Sequence, residues 1–281
     1  MNILEIIKKR SSCRSYTGEP VSAADKDRLT DFINRSGSGP FGSQPVFKLI
    51  MSAPGDSESL KGLGTYGFIR KPAGFIIGSI TQSPMNLEDF GYCMEKIILY
   101  ATEMGLGTCW LGGTFKKSRF ADKAAVGKDR IIPAVAATGY AAKRKTLTEK
   151  IVRASAGADK RKSVHEIFFS SELERLDDEF YRSSYGTVLE MVRRAPSASN
   201  KQPWRIICGS SKNNFHLFLE RTKDYNKSRF ITSDLQRIDM GIAMCHFELA
   251  AKACELDGAW IKKAPEGIRV SPGWEYIASW H

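Results

Sequence analysis

A stretch of 23 residues, DFGYCMEKIILYATEMGLGTCWL at 89–111, returns 150 residues later as DMGIAMCHFELAAKACELDGAWI. With no gap, seven positions are identical: Asp89/Asp239, Gly91/Gly241, Met94/Met244, Leu99/Leu249, Ala101/Ala251, Leu106/Leu256 and Trp110/Trp260. Repeats that build solenoids or propellers recur every ~20–50 residues and several times over. Two copies at this spacing instead imply that a whole unit was duplicated, giving a pseudo-dimer with two-fold symmetry on one chain. Two such copies need only one working site between them.

The 281 residues accommodate that reading as two halves sharing a core, expected at 1–170 and 171–281. Apolar residues at 42% and charged residues at 26% are ordinary for a globular chain and exclude disorder. The six cysteines, Cys13, Cys93, Cys109, Cys208, Cys245 and Cys254, form no CxxC pair and no metal-ligand spacing with the histidines, so reduced, buried thiols and no metal are expected. Residues 1–10 carry no signal-peptide core, and the longest apolar runs, such as 74–80, are far short of a span of about 20 residues. The expected setting is the cytoplasm, with no membrane partner.

More than half of the net charge of +11 sits between residues 141 and 163, where eight basic residues face only Glu149 and Asp159. Such a run can meet nucleic acid, a phosphate-bearing cofactor, or nothing but solvent. No aromatic residue is interleaved with it and no zinc-finger or basic-zipper pattern accompanies it, so no nucleic-acid partner is expected.

Periodicity predicts a helix at 2–9 from Ile3, Ile6 and Ile7, and a second one capped by Ser22 with Asp25 at its third position. Strands are expected at 47–51 and 74–80, then the first copy of the repeated helix, capped by Asn86 and closed by Gly105. A strand over 131–139 follows. The second copy is expected to hold a helix at 186–194, a loop at 195–200, strands at 205–209 and 215–220, the repeated helix and a final strand at 274–280. Interspersed helices and strands make the class α+β or α/β, with a sheet covered by helices.

Several motifs fail on context. Gly62, Gly64 and Gly67 match GxGxxG, but the run neither leaves a strand nor opens a helix. GxSxG, HExxH and GxxxxGK[ST] are absent. His246, with no carboxylate or nucleophile linked to it in sequence, reads as a core histidine. What remains suits an anionic, planar cofactor. Arg10, Ser11, Ser12 and Arg14 gather two guanidinium groups and two hydroxyls, donors suited to a phosphate. The turn at 105–113 loses side chains at Gly112 and Gly113, which lets main-chain N–H groups approach a flat ring. The run at 196–204 offers a rigid turn carrying Asn200 and Gln202.

At these residues the chain resembles the nitroreductase family of FMN-dependent oxidoreductases. The resemblance rests on Arg10-x-Ser12-x-Arg14, on Ala195-Pro-Ser-Ala-x-Asn-x-Gln-Pro-Trp204, on the turn at 105–113 and on Arg161-Lys162-x-x-x-Glu166-Ile167, and it covers most of the chain. It implies an α+β fold, a mixed sheet covered by helices, here duplicated within one chain. It also implies FMN at the interface of the two halves. Arg10, Ser11, Ser12 and Arg14, with Arg161 or a neighbouring base, would hold the phosphate. Leu111, Gly112 and Gly113 would run along the isoalloxazine, Gly112 supplying the catalytic main-chain N–H near N5. Pro196, Ser197, Ala198, Asn200 and Gln202 would come from the second half. Phe41, Tyr66 and Trp204 are wall candidates by size alone.

Departures from the pattern leave one site. Aligning Gln44-Pro45 with Gln202-Pro203 puts Gly42 opposite Asn200 and Ser38 opposite Pro196, while Lys262 and Lys263 stand where Gly112 and Gly113 stand in the first copy. The implied activity is transfer of electrons from NAD(P)H to nitroaromatics, quinones or similar acceptors by a ping-pong mechanism, in a monomeric pseudo-dimer. The other reading is a flavin-binding or regulatory protein without turnover.

Overall fold

The computed structural model describes residues 2–52, 60, 63, 65, 67–113, 115–143, 160–209, 213–225 and 233–281. Residues 144–159 of the basic run, and Gly62, Gly64 and Tyr66, lie outside the described residues. The first half begins with helix α1 (Ile3–Lys9), capped by Asn2, and α2 (Ala23–Asn34), where Ser22 accepts from the Asp25 N–H. Strands β1 (Val46–Met51) and β2 (Gly74–Thr81) lead into the long helix α3 (Asn86–Glu103) and strand β3 (Gly107–Leu111). Helix α4 (Lys117–Ala124), β4 (Arg130–Ile131) and β5 (Val135–Gly139) follow. The short α5 (Val164–Ile167) and β6 (Phe168–Phe169) lead to the second half. That half holds α6 (Asp178–Arg182), α7 (Ser184–Arg193), β7 (Trp204–Cys208), β8 (Phe215–Glu220), α8 (Leu235–Ala253), β9 (Trp260–Ile261) and β10 (Trp274–Trp280).

The duplication is visible in the topology. One sheet runs β1-β2-β5-β3 and the other β7-β8-β10-β9, each antiparallel along that path. The repeated helices α3 and α8 pack on each other at two glycines. A Cβ on Gly91 would lie 2.2 Å from the Ile238 carbonyl oxygen, and one on Gly241 would lie 1.9 Å from that of Glu88. Adding the 150-residue offset to 91 and 88 gives 241 and 238, so each contact is the image of the other, the signature of an isologous interface. Only glycine permits backbones this close. The arrangement is a duplicated α+β fold, and a shared core runs through both halves, from Phe90, Met94 and Leu99 to Phe247, Trp204 and Trp280.

The halves are not equal. Outside the first sheet, Phe75, Phe115, Phe120 and Leu111 pack a second core under α4. The matching face of the second sheet carries His216, whose Nδ1 lies 2.8 Å from Ser279 Oγ, and Arg205 paired with Glu220. β6, from the end of the first half, adds parallel to the edge of β7.

Three sequence expectations are corrected. Asn86 does not cap α3: the cap position is Met85, left-handed at φ 60°, and Asn86 Nδ2 turns back to donate to the Thr81 carbonyl at 2.8 Å. The stretch 105–113 is not all turn, because Thr108, Cys109 and Trp110 form β3 against β5 and leave only Gly112 and Gly113 beyond it. The strand expected over 131–139 is split at Pro133, which cannot donate to a ladder, into β4 and β5.

Candidate functional site

The end of α1 and the end of α7, one from each half, meet at a cavity of about 480 Å³. α1 stops at Arg10, and the chain then runs beside β3: Ser12 bridges Thr108, and the Cys13 N–H donates to the Thr108 carbonyl at 2.8 Å. Arg14 is held from the other side, its carbonyl accepting from the Arg70 N–H at 2.9 Å. This extended pairing presents Lys8, Arg10, Ser11, Ser12 and Arg14 to the cavity. The opposite wall is made by Arg193, Arg194, Pro196, Ser197, Ser199 and Asn200, and Arg161 joins it through the Asn200 side chain and the Arg194 carbonyl.

The loop after α7 is strained and tightly held. Ser199, Asn200 and Gln202 have φ of 50°, 54° and 48°, a left-handed region that costs non-glycine residues about 1–3 kcal/mol each. Hydrogen bonds hold it there: Ala198 N–H to Asp239 Oδ1 at 2.9 Å, Gln202 N–H to Ser197 Oγ at 2.8 Å, and Asn200 Nδ2 to the Lys160 carbonyl at 2.7 Å. Arg161 Nη1 donates to Asn200 Oδ1 at 2.7 Å, which sets that guanidinium on the cavity wall. Gln202 is 3% exposed and does not line the cavity; its Oε1 accepts from the Lys162 N–H at 2.9 Å and splints the 160–162 segment beneath the loop. Ala198 likewise lies off the wall.

The electrostatics favour an anion. Among the cations around the cavity, Lys8 meets Glu5 at 2.8 Å, and Arg193 and Arg194 share Glu190 at 2.6 and 2.8 Å. Arg14 Nη1 is buried and has no hydrogen-bond partner among the described residues. A buried guanidinium N–H costs free energy until something accepts from it, and a phosphate is the acceptor that this donor set suits. A phosphate-bearing cofactor such as FMN therefore fits the residues present.

Leu111, Gly112 and Gly113 do not line the cavity. The side-chain space at Gly112 is filled by Leu235, whose Cδ atoms lie 2.6 Å from where a Cβ would stand. Nearby, Lys117 donates to Ser233 Oγ at 3.0 Å, and burial pulls its ammonium down to about 8. Trp204 is fully buried in the core and walls no site, against its size-based expectation; Phe41 is half-buried, its N–H held by Asp89. In the second copy of the turn, Lys262 Nζ lies 3.2 Å from Met85 Sδ and 5.7 Å from the Tyr276 ring centre. Lys8, Arg193 and Arg194 give no signal of a site in the sequence, because basic residues at a helix C-terminus complement its dipole and ordinarily need no ligand.

Residues 2–251 match the family model described as "Putative TM nitroreductase". The chain belongs to this nitroreductase family. Its fold is similar to that of a Thermotoga maritima protein described as a "putative nitroreductase", with a TM-score of 0.60 at 19% identity, covering 100% of this chain and 92% of that one. A Bacteroides fragilis nitroreductase described with bound FMN is similar over 52% of this chain and 92% of its own, at 20% identity and a TM-score of 0.41. A Desulfitobacterium hafniense nitroreductase, also with bound FMN, is similar over 52% and 92%, at 16% identity and a TM-score of 0.43. Among curated proteins nothing matches the chain. No helix among the described residues is long and apolar enough to cross a membrane.

Proposed function

We propose that this nitroreductase-family protein binds one FMN across its two halves and passes electrons from NADH or NADPH to electron-poor acceptors such as nitroaromatics or quinones. The observation that carries the reading is the buried Arg14 Nη1, without a hydrogen-bond partner among the described residues, in a cavity walled by both halves. Arg14, Ser11, Ser12 and Arg161 bind the phosphate, Arg10 backs them, and Pro196, Ser197 and Asn200 close the cavity from the second half. Ala198 and Gln202 fix that loop rather than face the cofactor. The main chain at 111–113 lies off this phosphate cavity; in this reading the flavin ring extends beyond the cavity to reach it, with the Gly112 N–H as donor. Bound FMN supplies hydride chemistry in two half-reactions, so donor and acceptor use one face in turn. Residues 1–170 and 171–281 are the two halves of a monomeric cytoplasmic pseudo-dimer, with β6 as the exchanged strand.

Leu235 over Gly112 favours a second reading, a flavin-binding protein whose ring face is closed to substrates. The two readings part in one experiment. Purified protein carries oxidised-flavin absorbance under both; anaerobic stopped-flow mixing with NADH or NADPH bleaches it, and menadione or a nitroaromatic restores it, only under the first. A protein that retains no flavin refutes both.

A further inference from the structure

We infer that Glu95, on α3, is a positioning residue for the cofactor phosphate, holding Arg10 in the cavity wall and tying that wall to the second half through His246. The inference rests on the reading that the cavity takes the FMN phosphate. Glu95 and His246 are fully buried, and the Arg10 side chain is 5% exposed. Trp110 Nε1 donates to Glu95 Oε2 at 2.7 Å, while His246 Nε2 lies 3.0 Å and Arg10 Nε 3.9 Å from Glu95 Oε1. His246 Nδ1 stands 3.0 Å from the Met191 carbonyl, which can only accept, so that nitrogen carries a hydrogen. One carboxylate thus joins the first residue of the phosphate grip, the strand leading to Gly112, the helix α8 and, through His246, the helix that ends in Arg193 and Arg194.

The duplication supplies an internal control. The residue 150 positions on from Glu95 is Cys245, and the residue matching His246 is Lys96. Packing of these two helices therefore demands no carboxylate at this position; the half without a phosphate grip does without one. Chemistry explains the choice. A carboxylate accepts from the Trp110 N–H and sets a negative charge beside the Arg10 guanidinium, whereas a glutamine can still accept from Trp110 but carries no charge to hold the guanidinium. Arg10, held at 3.9 Å by charge and not by a hydrogen bond from Nε, is released first. Loss of this charge weakens the ion pair that fixes the buried Arg10 guanidinium in the wall, and the guanidinium shifts away from the phosphate.

The test compares FMN with riboflavin, which lacks the phosphate, by fluorescence titration of the full chain. Glu95→Gln weakens FMN about tenfold and leaves riboflavin within about twofold, so the preference for FMN collapses. Arg14→Ala, the control, loses FMN affinity by one to two decades on the same scale with riboflavin unchanged. If Arg14→Ala discriminates but Glu95→Gln spares the ratio, or weakens both ligands equally, the positioning role is overturned while the site stands. If wild type shows no preference for FMN, the site itself is refuted, and the inference with it. Arg10→Met must give the same collapse. Should Glu95→Gln not fold, the Glu95→Met/Arg10→Met double variant leaves no charge of that pair uncompensated: a collapse no deeper than that of Arg10→Met supports the coupling, and a deeper one overturns it.

Discussion

Asp89 and Asp239 occupy the same place in the two copies, yet their surroundings differ. Asp89 accepts from the Phe41 and Ser43 N–H groups at 2.9 and 2.8 Å, one on each oxygen. Asp239 accepts from Ala198 N–H alone, and its Oδ2 is buried without a partner among the described residues. Burial pushes the Asp239 carboxyl well above the usual carboxylate range, the Ala198 N–H opposing and Asp234 adding to the rise. A folded pKa above the unfolded one means that this residue's contribution to stability is complete below the unfolded pKa of about 3.9 and lost as pH rises through the folded value. Asp239→Asn keeps the acceptor for Ala198 and cannot ionise. Its stability relative to wild type should therefore rise as pH increases above about 4, read by urea unfolding at each pH. A pH-independent difference would mean that Asp239 is already ionised in the folded protein.

At the scale of elements, the crossing of α3 and α8 decides the architecture. A methyl group on Gly241 meets the backbone of Glu88, which cannot rotate away, so Gly241→Ala should destabilise the chain by roughly 1–3 kcal/mol or more and lower Tm by several degrees in calorimetry. An unchanged Tm would show that the helices part at no cost. These helices were legible in the sequence because both copies keep the glycine and the apolar pattern around it. The Ser22 cap, the strand at 215–220 and the strand at 274–280 were legible too, from capping chemistry and β-branched or aromatic runs. The sequence did not disclose β6, whose two residues become a strand only by pairing with β7 from the other half. Nor did it disclose Glu95 as the partner of His246, since a contact across 151 residues leaves no local pattern. The grip and the loop were legible as donor-rich segments; their meeting at one cavity is a property of the fold.

In the whole molecule the cavity is completed by both halves, because each half keeps a different part. The first keeps the grip at 10–14, the second the strained loop at 196–202, and the mirror-image turn is filled by Lys262 lying between Met85 and Tyr276. Gly42, opposite Asn200, carries no side chain to place toward a second cofactor. The chain should accordingly bind one FMN, and Asn200→Ala and Arg14→Ala, 186 positions apart, should weaken that same site. Asn200→Ala removes one acceptor of the Arg161 guanidinium and one donor to the Lys160 carbonyl, so its effect should be a weaker FMN phosphate contact, about tenfold for one charge-assisted bond. Flavin released on denaturation, counted against chain concentration, with molar mass from light scattering, reads the ratio and the assembly together. One FMN on a monomeric chain is the expected result. Two per chain would mean that the Gly42 loop and the Lys262 turn still form a site, and a stable dimer with FMN bound only in the dimer would mean that the two halves of one chain do not complete it.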